Sequence, residues 1–232
     1  MATPHLLRGL AAAVAASCLA VGTATAAAPP PAALQAGMPL TAGWGGRCVS
    51  GFNLRSADLG FIMASGSCGK VADVVRGPGN VFIGQVVAVS RELDTVLIRV
   101  DNNDEWQQGP WVSSQSPAAP PYVVTGSREA HLGATVRMSS ANSGILTGTV
   151  TATGLTVNTP DGTMTGLTRA TLCSSAGDSG APVSTTDGQA QGYVVLASGS
   201  GDCDTLYMPI GRTLDTYHVQ VMTGQQDDSV TR

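Results

Sequence analysis

Glycine and proline punctuate this chain so densely that it cannot be built from long helices: 29 glycines and 13 prolines are spread over 232 residues. Both residues end regular structure, so turns are frequent and the segments between them short. Those segments are rich in β-branched residues. Val81–Val89 (VFIGQVVAV) and Asp94–Val100 (DTVLIRV) have strand composition, and Gly133–Met138, Gly148–Val157, Gly162–Thr171 and Gln191–Ala197 continue it. Thr149–Val157 alternates threonine with other residues, as a half-exposed strand does. Asp215–Met222 follows the last strand signal and is expected to form a short closing helix. The pattern predicts an all-β protein in two similar halves. Charged residues make up only 12% and hydrophobic ones 43%, which argues against a disordered chain. A formal net charge of −4 argues against a broad nucleic-acid footprint, which needs clustered lysine and arginine.

The first 28 residues have the pattern of a secretory signal peptide. Arg8 precedes an apolar run, Leu10–Val21, which ends in small residues before Pro29. A membrane anchor would need about 20 apolar residues and no small-residue exit. Cys18 raises a lipoprotein alternative, but Ala15 stands where a lipobox prefers leucine, and apolar residues continue after the cysteine. Cleavage removes Cys18 from a total of five cysteines and leaves Cys48, Cys68, Cys173 and Cys203. An even set in an exported chain predicts two disulfides. Residues 29–42 are expected to be a flexible leader, 43–114 a first β domain, and the proline-rich 115–122 a linker. Residues 123–222 should form the second β domain with its helix, and 223–232 a tail.

Gly177-Asp178-Ser179-Gly180 is the most informative tetrapeptide. A serine nucleophile needs a tight turn that exposes its hydroxyl, and backbone amides aimed at a developing oxyanion. Flanking glycines permit such a turn. Cys173 lies upstream and Ala181-Pro182-Val183 follows. This segment resembles the nucleophile segment of chymotrypsin-like serine proteases, in the secreted bacterial streptogrisin and α-lytic protease branch. The segments around Cys48, Phe61–Cys68, Asp94–Val100, Val136–Val150 and Ser198–Cys203 resemble that branch in the same order, over about residues 43–222. Five ordered segments are far more specific than one tetrapeptide.

The resemblance implies two antiparallel Greek-key six-stranded barrels with the site between them and a short C-terminal helix. It implies disulfides Cys48–Cys68 and Cys173–Cys203. It makes Ser179 the nucleophile position and Asp94 the triad carboxylate, with the amides of Gly177 and Ser179 as the oxyanion hole. Ser174, Ser175, Ala197, Ser198 and Gly199 would line the substrate cleft. No cofactor is implied, and no cysteine–histidine spacing suits a metal. Asp101–Glu105 suits a solvated turn better than a calcium loop.

The departure from the family lies at its general base. A histidine is expected immediately before the first-disulfide cysteine, and here Ser67 stands there. Beyond the signal, only His131 and His218 are available, and neither position is near the cleft in the family architecture. Lys70 lies three residues beyond Ser67, but a dyad lysine needs burial to lower its pKa. A neutral hydroxyl at Ser67 is a very weak proton acceptor. Ala181 replaces a usual second glycine. Arg137 is either a partner for a buried Asp178 or a solvated cation. Three functions follow as expectations: a secreted pseudoprotease binding a peptide or protein in the inter-barrel cleft, a weak or substrate-assisted serine endopeptidase, or a secreted scaffold. In each the mature chain is expected to be a monomer, free of the membrane and of nucleic acid.

Overall fold

A computed structural model describes residues 29–43, 45–160, 162–197 and 203–224. The expected signal peptide at 1–28 and the tail beyond residue 224 lie outside the described residues, as do Ser198, Gly199 and Asp202. The first half carries β1 (Ala32–Ala36), β2 (Pro39–Ala42), β3 (Gly46–Ser56), β4 (Leu59–Ser65), β5 (Val74–Arg76), β6 (Phe82–Ser90), β7 (Thr95–Val100) and β8 (Trp106–Val112). Then come β9 (Tyr122–Val123), β10 (Thr135–Ser140), β11 (Gly144–Thr159), β12 (Gly162–Ala170), β13 (Pro182–Thr185), β14 (Ala190–Leu196), β15 (Thr205–Pro209), α1 (Ile210–Tyr217) and β16 (Gln220–Val221).

Strands β2 to β7 close into one ring, in the order β3-β2-β5-β6-β7-β4, because β3 also pairs with β4. Strands β10 to β15 close into a second barrel, in the order β10-β11-β12-β15-β14-β13. The expected all-β fold with two six-stranded barrels and a short helix is therefore present. Each barrel is filled by its own apolar set: Leu40, Ile62, Ile83 and Ile98 in the first, and Val136, Met138, Leu172 and Val183 in the second. A third cluster joins them, with Phe52, Met63 and Leu97 of the first packed in the same core as Leu167, Tyr193 and Met208 of the second. Burying this seam removes apolar area from both barrels at once, which holds them in a fixed relation.

Two expectations are corrected. Residues 29–42 are not a flexible leader. β1 runs parallel to β8, with Ala32 opposite Trp106, and β2 pairs with β3 and β5. The cause is a period of two that the flanking prolines and alanines conceal: Leu34, Ala36, Met38, Leu40 and Ala42 are all buried. The closing helix occupies Ile210–Tyr217 rather than 215–222, and Gln220–Val221 returns as a strand on β3. Ile210 and Thr213 bury one face of this helix, and His218 ends it in the left-handed conformation at φ 52°.

Cys48 is bonded to Cys68 and Cys173 to Cys203, the pairing the resemblance implies. Among the described residues, no helix is long and apolar enough to cross a membrane.

Candidate active site

Asp94 stands at the exit of the turn between β6 and β7, in a left-handed conformation at φ 45°. That turn is braced from the other barrel: the buried Tyr193 hydroxyl of β14 donates to the Leu93 carbonyl at 2.6 Å. β7 then pairs with β4, setting Thr95 opposite Ser65. The Asp94 carbonyl accepts the Gly66 amide at 2.9 Å, so the 3-10 turn Gly66–Cys68, which carries Ser67, hangs from Asp94. Gly66 packs closely here: a Cβ at this position would lie 2.6 Å from Asp94 Oδ1, so a larger residue would displace the carboxylate.

Hydroxyls occupy the space before the carboxylate. Ser65 Oγ donates to Asp94 Oδ2 at 3.2 Å and lies 3.0 Å from Ser67 Oγ. It also accepts the Ser67 amide at 3.3 Å. With its proton committed to Asp94, Ser65 takes that of Ser67, giving a chain Ser67 to Ser65 to Asp94. Ser65 was not singled out by the sequence; its only signal was a second hydroxyl two residues before Ser67.

Ser179 is half-buried and follows a 3-10 turn, Ala176–Asp178. Gly180 carries φ 88°, and a Cβ on it would fall 2.8 Å from both the Ser65 amide nitrogen and the Val49 carbonyl oxygen. Only glycine fits there, and this close approach sets the Ser179 turn against the backbone of β3 at Val49 and of β4 at Ala64 and Ser65. The amides of Asp178, Gly180 and Ala181 are engaged by Ser175, Val194 and Asp178 carbonyls. Those of Gly177 and Ser179 have no acceptor among the described residues. Two free amides on one turn suit a developing oxyanion.

Beneath the turn, Asp178 is fully buried. Ser140 Oγ, Ser143 Oγ and the Ser175 amide donate to it at 2.5, 2.6 and 2.8 Å, and Asn142 Nδ2 at 3.3 Å. Burial by itself would raise its pKa; these donors outweigh it and hold the carboxyl below the ordinary range. Arg137 is not its partner, because the guanidinium lies 3.5 Å over the Tyr122 ring. Ser174 is buried and shares a hydrogen bond with Thr205 of β15, and Ser175 Oγ binds Asn142 and Asp178. Ala197 is partly buried just past β14. Ala181 packs inside the second barrel.

Two clefts flank this centre. A groove of about 690 Å³ opens on Ser67 and Asp94, between Val89–Glu92 of the first barrel and Thr159, Thr163 and Met164 of the second. Another of about 550 Å³ runs past Gly177, lined by Leu40, Arg47, Val49 and Asn142. The described histidines lie elsewhere: His131 lines a separate cleft with Arg128 and Asp187, and His218 caps α1. Lys70 is exposed, and no group of three potential metal ligands occurs among the described residues.

Protease A of Thermobifida fusca, a solved structure, is 32% identical and superimposes with a TM-score of 0.71 over 83% of this chain and 100% of its own. The chain belongs to the chymotrypsin-like serine protease family. Streptogrisin-C of Streptomyces griseus is 31% identical over 192 residues, and Serine protease 1 of Streptomyces fradiae 26% over 194. Each alignment covers 77% of this chain, which spans 38% and 50% of the two relatives' own length. No family model matches the chain. Within this family a serine–histidine–aspartate triad is the expected catalytic set.

Proposed function

We propose that this protein is an exported, catalytically silenced protease homologue that binds a peptide or protein segment in its inter-barrel cleft. The observation that carries the reading is the hydroxyl pair before Asp94: the carboxylate accepts from Ser65, beside Ser67, and the described histidines are elsewhere. Neither hydroxyl removes a proton from Ser179 near neutral pH. In another serine protease, loss of the catalytic histidine costs about 10⁶-fold in kcat, equivalent to about 8 kcal/mol of barrier. The clefts on either side of the turn remain large enough for an extended peptide. Two disulfides suit an oxidising compartment and support export.

The test is Ser67→His, assayed on peptide substrates beside the unmodified protein. The unmodified protein should cleave none at an enzymatic rate, and the variant should gain measurable turnover through its intact Asp94 and oxyanion turn. Efficient cleavage by the unmodified protein would overturn the reading.

A further inference from the structure

The groove beside Ser67 combines a carboxylate, hydroxyls and apolar surface. Asp94 lines it together with the small hydroxyl of Ser67 and with Gly66, which contributes no side chain. Val89 and Met164 give it apolar surface, Ser90 and Thr163 add hydroxyls, and Arg91 and Glu92 add charged groups, Glu92 being paired with Arg212. Gly180, next to Ser179, approaches the backbone of Ser65, one residue before the Gly66 that lines the groove.

We propose that this groove takes the imidazole of a histidine presented by a bound peptide or protein, a proposal that rests on the silenced site inferred above. Imidazole is flat, with apolar faces suited to surface such as that of Val89 and Met164. It carries one donor and one acceptor at once. A carboxylate partner fixes its tautomer: the ring N–H donates to Asp94, and the other nitrogen is left as a base. A lysine ammonium or arginine guanidinium would also pair with Asp94, but neither has an acceptor for the Ser179 proton. The ligand thus supplies the group that the chain lacks. With a suitable electrophile, Ser179 Oγ bonds to the acyl carbon as its proton passes to the ligand's imidazole. The imidazolium then returns that proton to the leaving group as its bond to the carbon breaks.

Fluorophosphonate labelling tests both the site and its chemistry, because Oγ–phosphorus bond formation expels fluoride while the imidazole holds the proton. Labelling of the full exported chain would be followed by intact mass across an imidazole titration, with binding of Gly-His-Gly and Gly-Lys-Gly peptides measured in parallel. General-base assistance is typically worth 10²–10⁴-fold, so at least an approximately tenfold, saturable acceleration is expected. Asp94→Asn should abolish the saturation while keeping the fold, because asparagine matches the shape and tolerates positive φ. Preferential binding of the histidine peptide is expected. No acceleration, or a linear rise equal in both proteins, overturns the proposal and leaves the silenced site standing. Rapid labelling without imidazole overturns both.

Discussion

Asp178 sits fully buried, and its partners are Ser140, Asn142, Ser143 and the amide and hydroxyl of Ser175, all of them neutral. Charge alone would have suggested Arg137. Strand geometry prevents it: Arg137 and Ser140 are three apart on β10, so they point to opposite faces, and Ser140 takes the inward one. Because folding depresses the carboxyl's pKa, its stabilising contribution is present above the unfolded carboxylate range near pH 4 and is lost as pH falls through the lower folded value. Ser140→Ala removes one donor to a buried charge, a loss of about 1.5–3 kcal/mol at neutral pH. It also raises the folded pKa, so acid unfolding followed by near-UV circular dichroism should begin at higher pH. An unchanged acid midpoint would rule this account out.

At the scale of elements, the informative strand is the one whose flanks conceal it. The turn at Ser179 was legible because its residues are adjacent in sequence and each is demanded by local geometry. The hydrogen bond from Ser65 to Asp94 was not, since it spans 29 positions and depends on the pairing of β4 with β7. β1 was hidden differently. Its inward residues alternate correctly, but alanine and proline surround them and weaken the apolar contrast on which period-two patterning relies. Leu34 has 0% exposure in the first-barrel core, so Leu34→Ala should cost about 2–5 kcal/mol in urea unfolding. A leader with no part in the fold would show no change.

For the whole molecule, the question is what makes two barrels one site. The GDSG turn and the Asp94 strand could each be read in sequence, but their mutual placement could not, because it rests on contacts about 100 residues apart. Tyr193 makes the most direct of these, reaching from β14 to the Leu93 carbonyl beside Asp94. Burial pushes its phenol well above the ordinary range, so it is a protonated donor at neutral pH. Tyr193→Phe leaves that buried carbonyl without this partner, at a cost of about 1–3 kcal/mol. Hydrogen exchange should show faster opening of the Asp94 turn than of the barrel strands, and uniform exchange across both would contradict it.

Both ends of the described chain are fastened to the first half: β1 zips parallel onto β8, and β16 clips onto β3. The second barrel is thus spliced between two attachments rather than hung from one end. A force drawing the ends apart loads those short end strands first and reaches the second barrel only after they let go. An unfoldase or translocase gripping either terminus would therefore strip β1 or β16 while the Ser179 turn still stood. In mechanical terms, the cleft is shielded behind its own fastenings.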